Sequence, residues 1–584
     1  MGTGKYTRSF VIGFTGHRDA SNFDVGEVER IILKINLELS DAHIYVLTGL
    51  AEGADKDVAR VCMSLRDRSV PIIPVAVLPM GRAEYEKDFT TKAASEEHAE
   101  MLRYFDDQKL PVISLDTADI RDDSYGNLAD FIVEKSDMLV AAWDGLDPNK
   151  SGGTADVIKR FSTEGAVNLK SLDGQVIDFA NYLHNSESKP VYVIQTLRDS
   201  VEYEDESVLN NGFFSWVPKW NSSLKIGDGV VSQSYPKRLI EKFEFINQVG
   251  VDSETFLRND SIANYPGPPE LIESFPGGGG RVSYLLKQYS LYDRLASAIQ
   301  KPVHRHHRHV SVFTIVIALS FLVYAKIAPH VGFLIAYVVL FGAAYARHKI
   351  LDPNRLKTRY TLYRAIAEAL RVEYFLTVSG VVDDKGKDSL SKSLMTKGKV
   401  AGNIVRSVLQ PAFLFPAEGK TLMPIGYLNL RAAWIDDQQR YYKGKSRDYH
   451  SQLHNAERFI TASIYIPIAL AAALAVMYAM HSSLMYIEIF AVPLKNYMAF
   501  AVGFLPVIGA VLEIYTNAMA KKELASQYGI QFSYLKRLIE FLGDSPPEKQ
   551  WHDAVKYVGE SLSAEHMLWL KTLEEKHIEV AHGG

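Results

Sequence analysis

Three stretches of this 584-residue chain place glycine beside hydroxyl, acidic or basic side chains at the end of an apolar run. The first is GFTGHRD, from Gly13 to Asp19; the second is TGLAEGADKDVA, from Thr48 to Ala59; the third is AWDGLDPNKSGGTADVI, from Ala142 to Ile158. Where a strand gives way to a helix, glycine lets the backbone approach a ligand and the helix N-terminus presents N–H groups, a combination suited to phosphate. In the first stretch Thr15, Gly16, His17 and Arg18 bring backbone and side-chain donors. Gly49, Glu52, Gly53 and Asp55 follow in the second, and Asp144, Gly152, Gly153 and Thr154 in the third, with carboxylates able to accept from ribose hydroxyls. One such turn is weak evidence. Three at corresponding ends of one sheet favour a ligand site over turns that only reverse the chain.

A parallel sheet is what would bring these turns together. The first 200 residues alternate helical patterns with the runs FVIGF, HIYVLTG, VPIIPVAVLP, LPVISL, DMLVAAWDG and KPVYVIQT. Apolar runs without polar alternation are typical of parallel strands buried on both faces, with helices crossing over between them. The expected fold is an α/β, doubly wound, mostly parallel Rossmann-like sheet, with its ligand crevice outside the carboxyl ends of the strands.

At these residues the chain resembles the SLOG superfamily, Rossmann-like domains related to the phosphoribohydrolases called LOG and to nucleotide-sensing domains of bacterial defence systems. The resemblance covers roughly residues 8 to 200, with the three stretches in the family's order. It implies a nucleotide-derived ligand, such as a cyclic nucleotide or an ADP-ribose derivative, and no further cofactor. The hydrolytic members carry Gly-Gly-x-Gly-Thr-x-x-Glu, whose final Glu takes part in cleaving an N-glycosidic bond. Here Val157 stands three residues after Thr154, and an apolar side chain does no acid–base work. Asp156 falls one residue short, about 100° away around a helix. Binding without turnover is expected, while Glu52 stays open as a substitute carboxylate in a membrane-anchored nucleotide hydrolase or N-glycosidase.

Composition limits the rest. A net charge of −5 lacks the basic footprint of a protein that binds nucleic acid polymers. The single cysteine, Cys62, excludes an internal disulfide framework and fits a reducing compartment. A mean hydropathy of −0.06 conceals four nearly uncharged runs, Val310 to Ala325, Val331 to Ala346, Phe459 to Met480 and Met498 to Tyr515. Read as four spans in two hairpins, they make an all-α transmembrane region in the lipid bilayer. Basic flanks such as KPVHRHHRH put both termini on the cytoplasmic side. His304, His306, His307 and His309 sit beside Arg305 and Arg308 without acidic or thiolate neighbours, so they read as an interfacial collar with no metal.

The resulting organisation is a SLOG-like domain over 1–200, an insertion and connecting helix over 201–300, a first transmembrane hairpin over 301–350, a cytoplasmic helical region over 351–458, a second hairpin over 459–520, and C-terminal cytoplasmic helices over 521–584. Helical segments such as YRAIAEALRVEYF, with Arg364 and Glu368 at i,i+4 spacing, resemble the membrane-proximal helices of SLATT-type effectors. Together the two resemblances imply a multi-pass effector of the bacterial inner membrane in antiphage defence, in which a nucleotide second messenger gates a pore or membrane-disrupting assembly. A conducting path between copies implies a closed homo-oligomer, with a tetramer favoured. A constitutive channel with an assembly domain is the remaining alternative.

Overall fold

The computed structural model describes residues 8–20, 22–39, 42–115, 121–146, 151–163, 169–170, 176–177, 189–201, 211–216, 229–257, 280–351, 353–382, 389–390, 400–415, 430–543 and 546–575. Most of the glycine run at 277–280 lies outside them. The chain divides into two compact units, one of residues 1–267, 272–291 and 369–424, the other of 268–271, 292–368 and 425–584.

The first unit is built on a sheet of β1 (Ser9–Gly16), β2 (His43–Thr48), β3 (Ile72–Leu78), β4 (Val112–Ser114), β5 (Met138–Trp143), β6 (Val191–Gln195), β7 (Gly212–Trp216) and β8 (Gly229–Ser232), in the order β8-β7-β6-β5-β1-β2-β3-β4. The six strands from β6 to β4 run parallel, and β7 and β8 add an antiparallel edge. All six apolar runs of the sequence are strands of this parallel part. Phe10, Val11, Ile12 and Phe14 of β1 are at most 1% exposed, the two-sided burial that a run without alternation requires. From β1 the chain winds outward to β4 and then returns to β5 on the opposite side of β1. The winding therefore reverses between β1 and β5, where Gly16 pairs with Ala142.

Helices α1 (Val25–Glu38), α2 (Ala54–Asp67), α3 (Lys92–Asp107), α4 (Arg121–Lys135) and α5 (Thr154–Thr163) follow the strands. In α1 the Asp24 carboxylate caps the Glu27 N–H at 3.1 Å, and Val28, Ile31, Ile32 and Ile35 form the buried stripe. Ala129 and Ile132 of α4 and Val157, Ile158 and Phe161 of α5 pack with Leu139, Ala141 and Val193 of the sheet. Ala59 of α2 and Met101 and Phe105 of α3 close another cluster around Ala76 and Leu78.

A third cluster contains residues from far along the chain. Leu414 is fully buried with Val11, Tyr45, Leu47, Val75 and Val77, and Phe415 packs beside it. Helix α6 (Lys237–Phe256) contributes Phe243 against Phe10, at 5.6 Å between rings. The segment 400–415 is tied down further where Arg406 donates to the Glu134 carbonyl at 3.1 Å and Phe413 lies 4.2 Å from the Lys135 ammonium. The sheet core thus depends on residues 400–415. Leu414→Ala should lower the stability of this unit by about 2–5 kcal/mol, read from denaturant unfolding of the full chain in detergent.

The helical unit corrects the span count. Among the described residues three helices, not four, are long and apolar enough to cross a membrane: Arg281–Lys326, Arg431–Ala479 and Leu494–Ala518. The run at Val331–Arg347 is a shorter apolar helix. Its apolar part ends at Ala346, before Arg347, His348 and Lys349. Placing both termini on one side, as the basic flanks suggest, requires an even number of crossings, and that number does not follow from helix length. Val338 at 62%, Tyr465 at 67% and Ile468 at 59% exposure present the apolar faces that lipid covers and that a soluble hairpin would bury. Gly509 lies where a Cβ would strike Ser463 Oγ, so the second and third spans touch through small residues. The expected Arg364–Glu368 pair forms, and Arg364 also donates to Asp293 at 2.7 Å. The histidine run is not uniformly a collar: His306 and His307 are buried, whereas His304, Arg305 and Arg308 are exposed.

Candidate ligand-binding cleft

A cleft of about 360 Å³ opens at the carboxyl ends of β1, β2 and β5. Of the twelve residues singled out in the sequence it gathers Thr15, Gly16, His17, Arg18, Gly49, Asp55, Gly152, Gly153 and Thr154 on its wall. The volume is that of a small-molecule site.

Asp144, Glu52 and Gly53 are the three that do not line it, and each has other work. The Asp144 side chain is fully buried behind His17, whose Nε2 is 3.2 Å from Oδ1. A protonated Nε2 donates to that oxygen; an unprotonated one accepts from the Asp144 N–H at 3.3 Å. Arg198 Nε donates to the other carboxylate oxygen at 2.6 Å, and the Leu146 N–H donates to Oδ1 at 2.9 Å. Burial opposes the Asp144 charge, but the bonds from His17, Leu146 and Arg198 outweigh it and bring the carboxyl down to about 2. Glu52 turns to Thr90, accepting from its N–H at 3.0 Å and its hydroxyl at 3.2 Å. That removes the substitute carboxylate from the cleft wall.

Gly53 is a spacer. It sits at φ +81°, and a Cβ there would overlap the Arg18 carbonyl oxygen and come within 2.7 Å of the His17 carbonyl oxygen, which accepts from the Ala54 N–H at 3.3 Å. The second glycine stretch is thus pressed against the backbone of the first. Gly152, at φ +71°, similarly abuts Tyr125, and its N–H donates to Asp156 at 2.7 Å. Asp156 also pairs with Arg160 at 2.8 Å, and Val157 is buried at 2% exposure.

Charge on the wall is organised around Arg18. Its Nη2 donates to the Tyr125 hydroxyl at 2.8 Å, and the guanidinium lies 5.2 Å from the centre of that ring. Tyr125 in turn donates to Asp88, which accepts from Arg121 Nε at 2.8 Å. Arg121 also meets Glu84 at 2.7 Å, and Arg198 is held by Asp144. Among the described residues Arg18 is therefore the wall arginine partnered by a phenol instead of a carboxylate. Burial works against its charge, yet Tyr125, Tyr85 and Asp88 around it hold its pKa above the ordinary value. Opposite in tendency is Asp55, whose burial pushes its carboxyl up to about 7 against the bonds from the Gly49 N–H and Thr48 and the charge of Arg18. Thr48 Oγ1 lies 3.3 Å from Asp55 Oδ1.

Sequence reading missed Tyr85, Asp88, Arg121, Asp122, Tyr125 and Arg198 on this wall. Arg198 had a signal: the sixth apolar run ends QTLRD, as the first ends FTGHRD. Tyr125 and Arg121 come from the first turns of α4, where no strand-end glycine marks them.

No protein-family model matches the chain, and no curated protein is significantly similar to it. The SLOG and SLATT resemblances therefore have no support from sequence comparison. What stands is a doubly wound mixed α/β unit in a chain whose later, largely helical part has three helices of membrane-spanning length. Among the described residues no group of three or more His, Cys, Asp or Glu is placed to hold a metal ion.

Gly53→Ala should cost about 1–3 kcal/mol, because an L side chain at this φ is strained and its Cβ displaces the His17–Arg18 backbone. Denaturant unfolding measures the loss, and Gly81→Ala, where a Cβ meets open space, is the control with little expected change.

Proposed function

We propose that the chain is a membrane-embedded effector whose α/β unit binds a phosphorylated nucleoside in this cleft and whose helical part responds to that binding. One observation carries the reading: three glycine-bearing strand ends converge where the sheet reverses its winding, around an arginine not committed to a carboxylate. At such a switch point α/β sheets take nucleotides, with phosphate at a helix N-terminus and glycine backbone. Gly153 and Thr154, at the start of α5, together with Arg18, offer that phosphate environment. Asp19, Asp122 and the hydroxyl groups of Thr15 and Tyr125 are the candidates for ribose.

The ligand is bound and not cleaved. Val157 brings no proton-transferring group, Asp156 is engaged by Gly152 and Arg160, and Glu52 is engaged by Thr90. A cyclic nucleotide or an ADP-ribose derivative as second messenger, antiphage defence, the bacterial inner membrane and a gated homo-oligomeric pore, tetrameric in the favoured form, are the finer parts of the proposal. They rest on the SLOG and SLATT resemblance. Support for coupling is covalent: Arg281–Lys326 is one continuous helix that starts in the α/β unit and carries the first spanning-length apolar run. A ligand shifts the helical part only through a difference in affinity between its states.

ADP-ribose is a suitable probe, since its pyrophosphate diester keeps its charge near neutral pH. Arg18→Ala in the full chain should weaken its binding at least tenfold, because a charge-assisted contact to phosphate contributes about 1.5–3 kcal/mol. Calorimetry in detergent reads the change, and unchanged affinity would place the site elsewhere. The same titration has a pH signature. Asp55 is neutral below about 7 and anionic above it, so an anion entering the cleft binds best with Asp55 protonated. Affinity should fall as pH rises from about 6 to about 8, and Asp55→Asn should flatten that dependence.

A further inference from the structure

Between the second and third spanning-length helices the chain makes a short, well-defined hairpin. Ser483–Tyr486 forms a single tight helical turn, Glu488–Ile489 pairs antiparallel with Val492–Pro493, and Leu494 then begins the next helix. Met485, at 2% exposure, plugs the hairpin inward, the Tyr497 hydroxyl donates to the Ile489 carbonyl at 3.0 Å, and the Lys495 ammonium sits 4.6 Å from the centre of the Tyr486 ring. The loop is therefore held in shape by its own contacts.

Its tip contradicts ordinary turn chemistry. The two central residues, Phe490 and Ala491, have φ of +50° and +62°. A two-residue turn of that kind normally takes Asn-Gly or Asp-Gly, because a side chain in the left-handed region costs energy. Phe490 occupies it nonetheless and points its ring outward at 95% exposure. Leu484, Tyr486, Ile487 and Ile489 are exposed around it. In water this is a patch that a monomer would not display.

The position of the hairpin names what covers it. From Phe459 to Met519 the chain carries only three charged side chains, Glu488, Lys495 and Glu513. Two of these three lie in or beside the hairpin, at the end shared by two apolar helices. That pairing of exposed aromatics with a few charges at a helix end is the composition of a membrane–water boundary. We propose that the hairpin Ser483–Pro493 is a membrane-interface anchor, with Phe490 and its apolar neighbours set between lipid headgroups and acyl chains and Glu488 left on the aqueous side.

The chain's single cysteine makes the test direct. Cys62 is fully buried and its thiol is pushed up to about 12, so it does not take up a thiol-reactive label in the folded chain. Full-length Ala491→Cys, which keeps Phe490, is spin-labelled and reconstituted in phosphatidylcholine vesicles, with Glu488→Cys as its aqueous counterpart. Collision with oxygen and with a water-soluble nickel chelate then reports depth. The account predicts that the label at 491 meets oxygen in preference to nickel, that the label at 488 does the reverse, and that adding Phe490→Asp raises nickel access at 491 severalfold. Nickel access at 491 equal to that at 488 would overturn it by placing the tip in water. So would shielding of 491 from both reagents with dipolar broadening between labels, which would make the patch a contact between copies.

Discussion

The buried carboxylate of Asp144 joins three neighbouring strand ends. It receives His17 from the end of β1, Arg198 from beyond β6, and the backbone of its own turn after β5. Without such a tie, opposite winding on the two sides of β1 and β5 would leave these ends as independent loops around a gap. With it, the gap has a fixed floor, His17 has a fixed orientation, and Arg18 is turned toward Tyr125. The charge balance matters as much as the geometry. Asp144 neutralises Arg198 and carries the histidine contact, so the one wall arginine left with a phenol is the one directly beside the glycines of the first stretch.

Much of this was legible in the sequence because parallel strands are written plainly. Each of the six apolar runs became a strand, since a segment buried on both faces has no room for polar alternation. The three glycine stretches met because all strands of a parallel sheet end on the same side. What the residues did there was less legible. Gly53 and Gly152 carry the glycine signal of a ligand loop, yet their closest neighbours are backbone atoms of Arg18 and of Tyr125. A glycine needed for chain-to-chain approach and one needed for chain-to-ligand approach look alike in sequence. Glu52 and Asp144 likewise read as ligand carboxylates, and only the fold shows that Thr90 and Arg198 claim them. The return of Leu414 to the sheet core had no local signal at all, because pairings across several hundred residues leave no periodicity.

In the helical part, composition located the apolar runs, and length decided among them. Four runs looked equivalent by their lack of charge. Among the described residues three belong to helices long and apolar enough to cross, while the fourth, Val331–Arg347, is a shorter apolar helix. The small residues that pack the second span against the third, Ser463 and Gly509, were not conspicuous in the sequence.

The central claim is that one cleft, assembled from three strand ends and the start of α4, takes a phosphorylated nucleoside. Hydrogen–deuterium exchange on the full chain in detergent, with and without millimolar members of a panel of cyclic nucleotides and ADP-ribose derivatives, tests it most directly. The account predicts that at least one member slows exchange together at Phe14 to Asp19, at Arg121 to Leu128 and at Gly152 to Val157. Protection confined to other segments, or none of these three protected by any member of the panel, would contradict it.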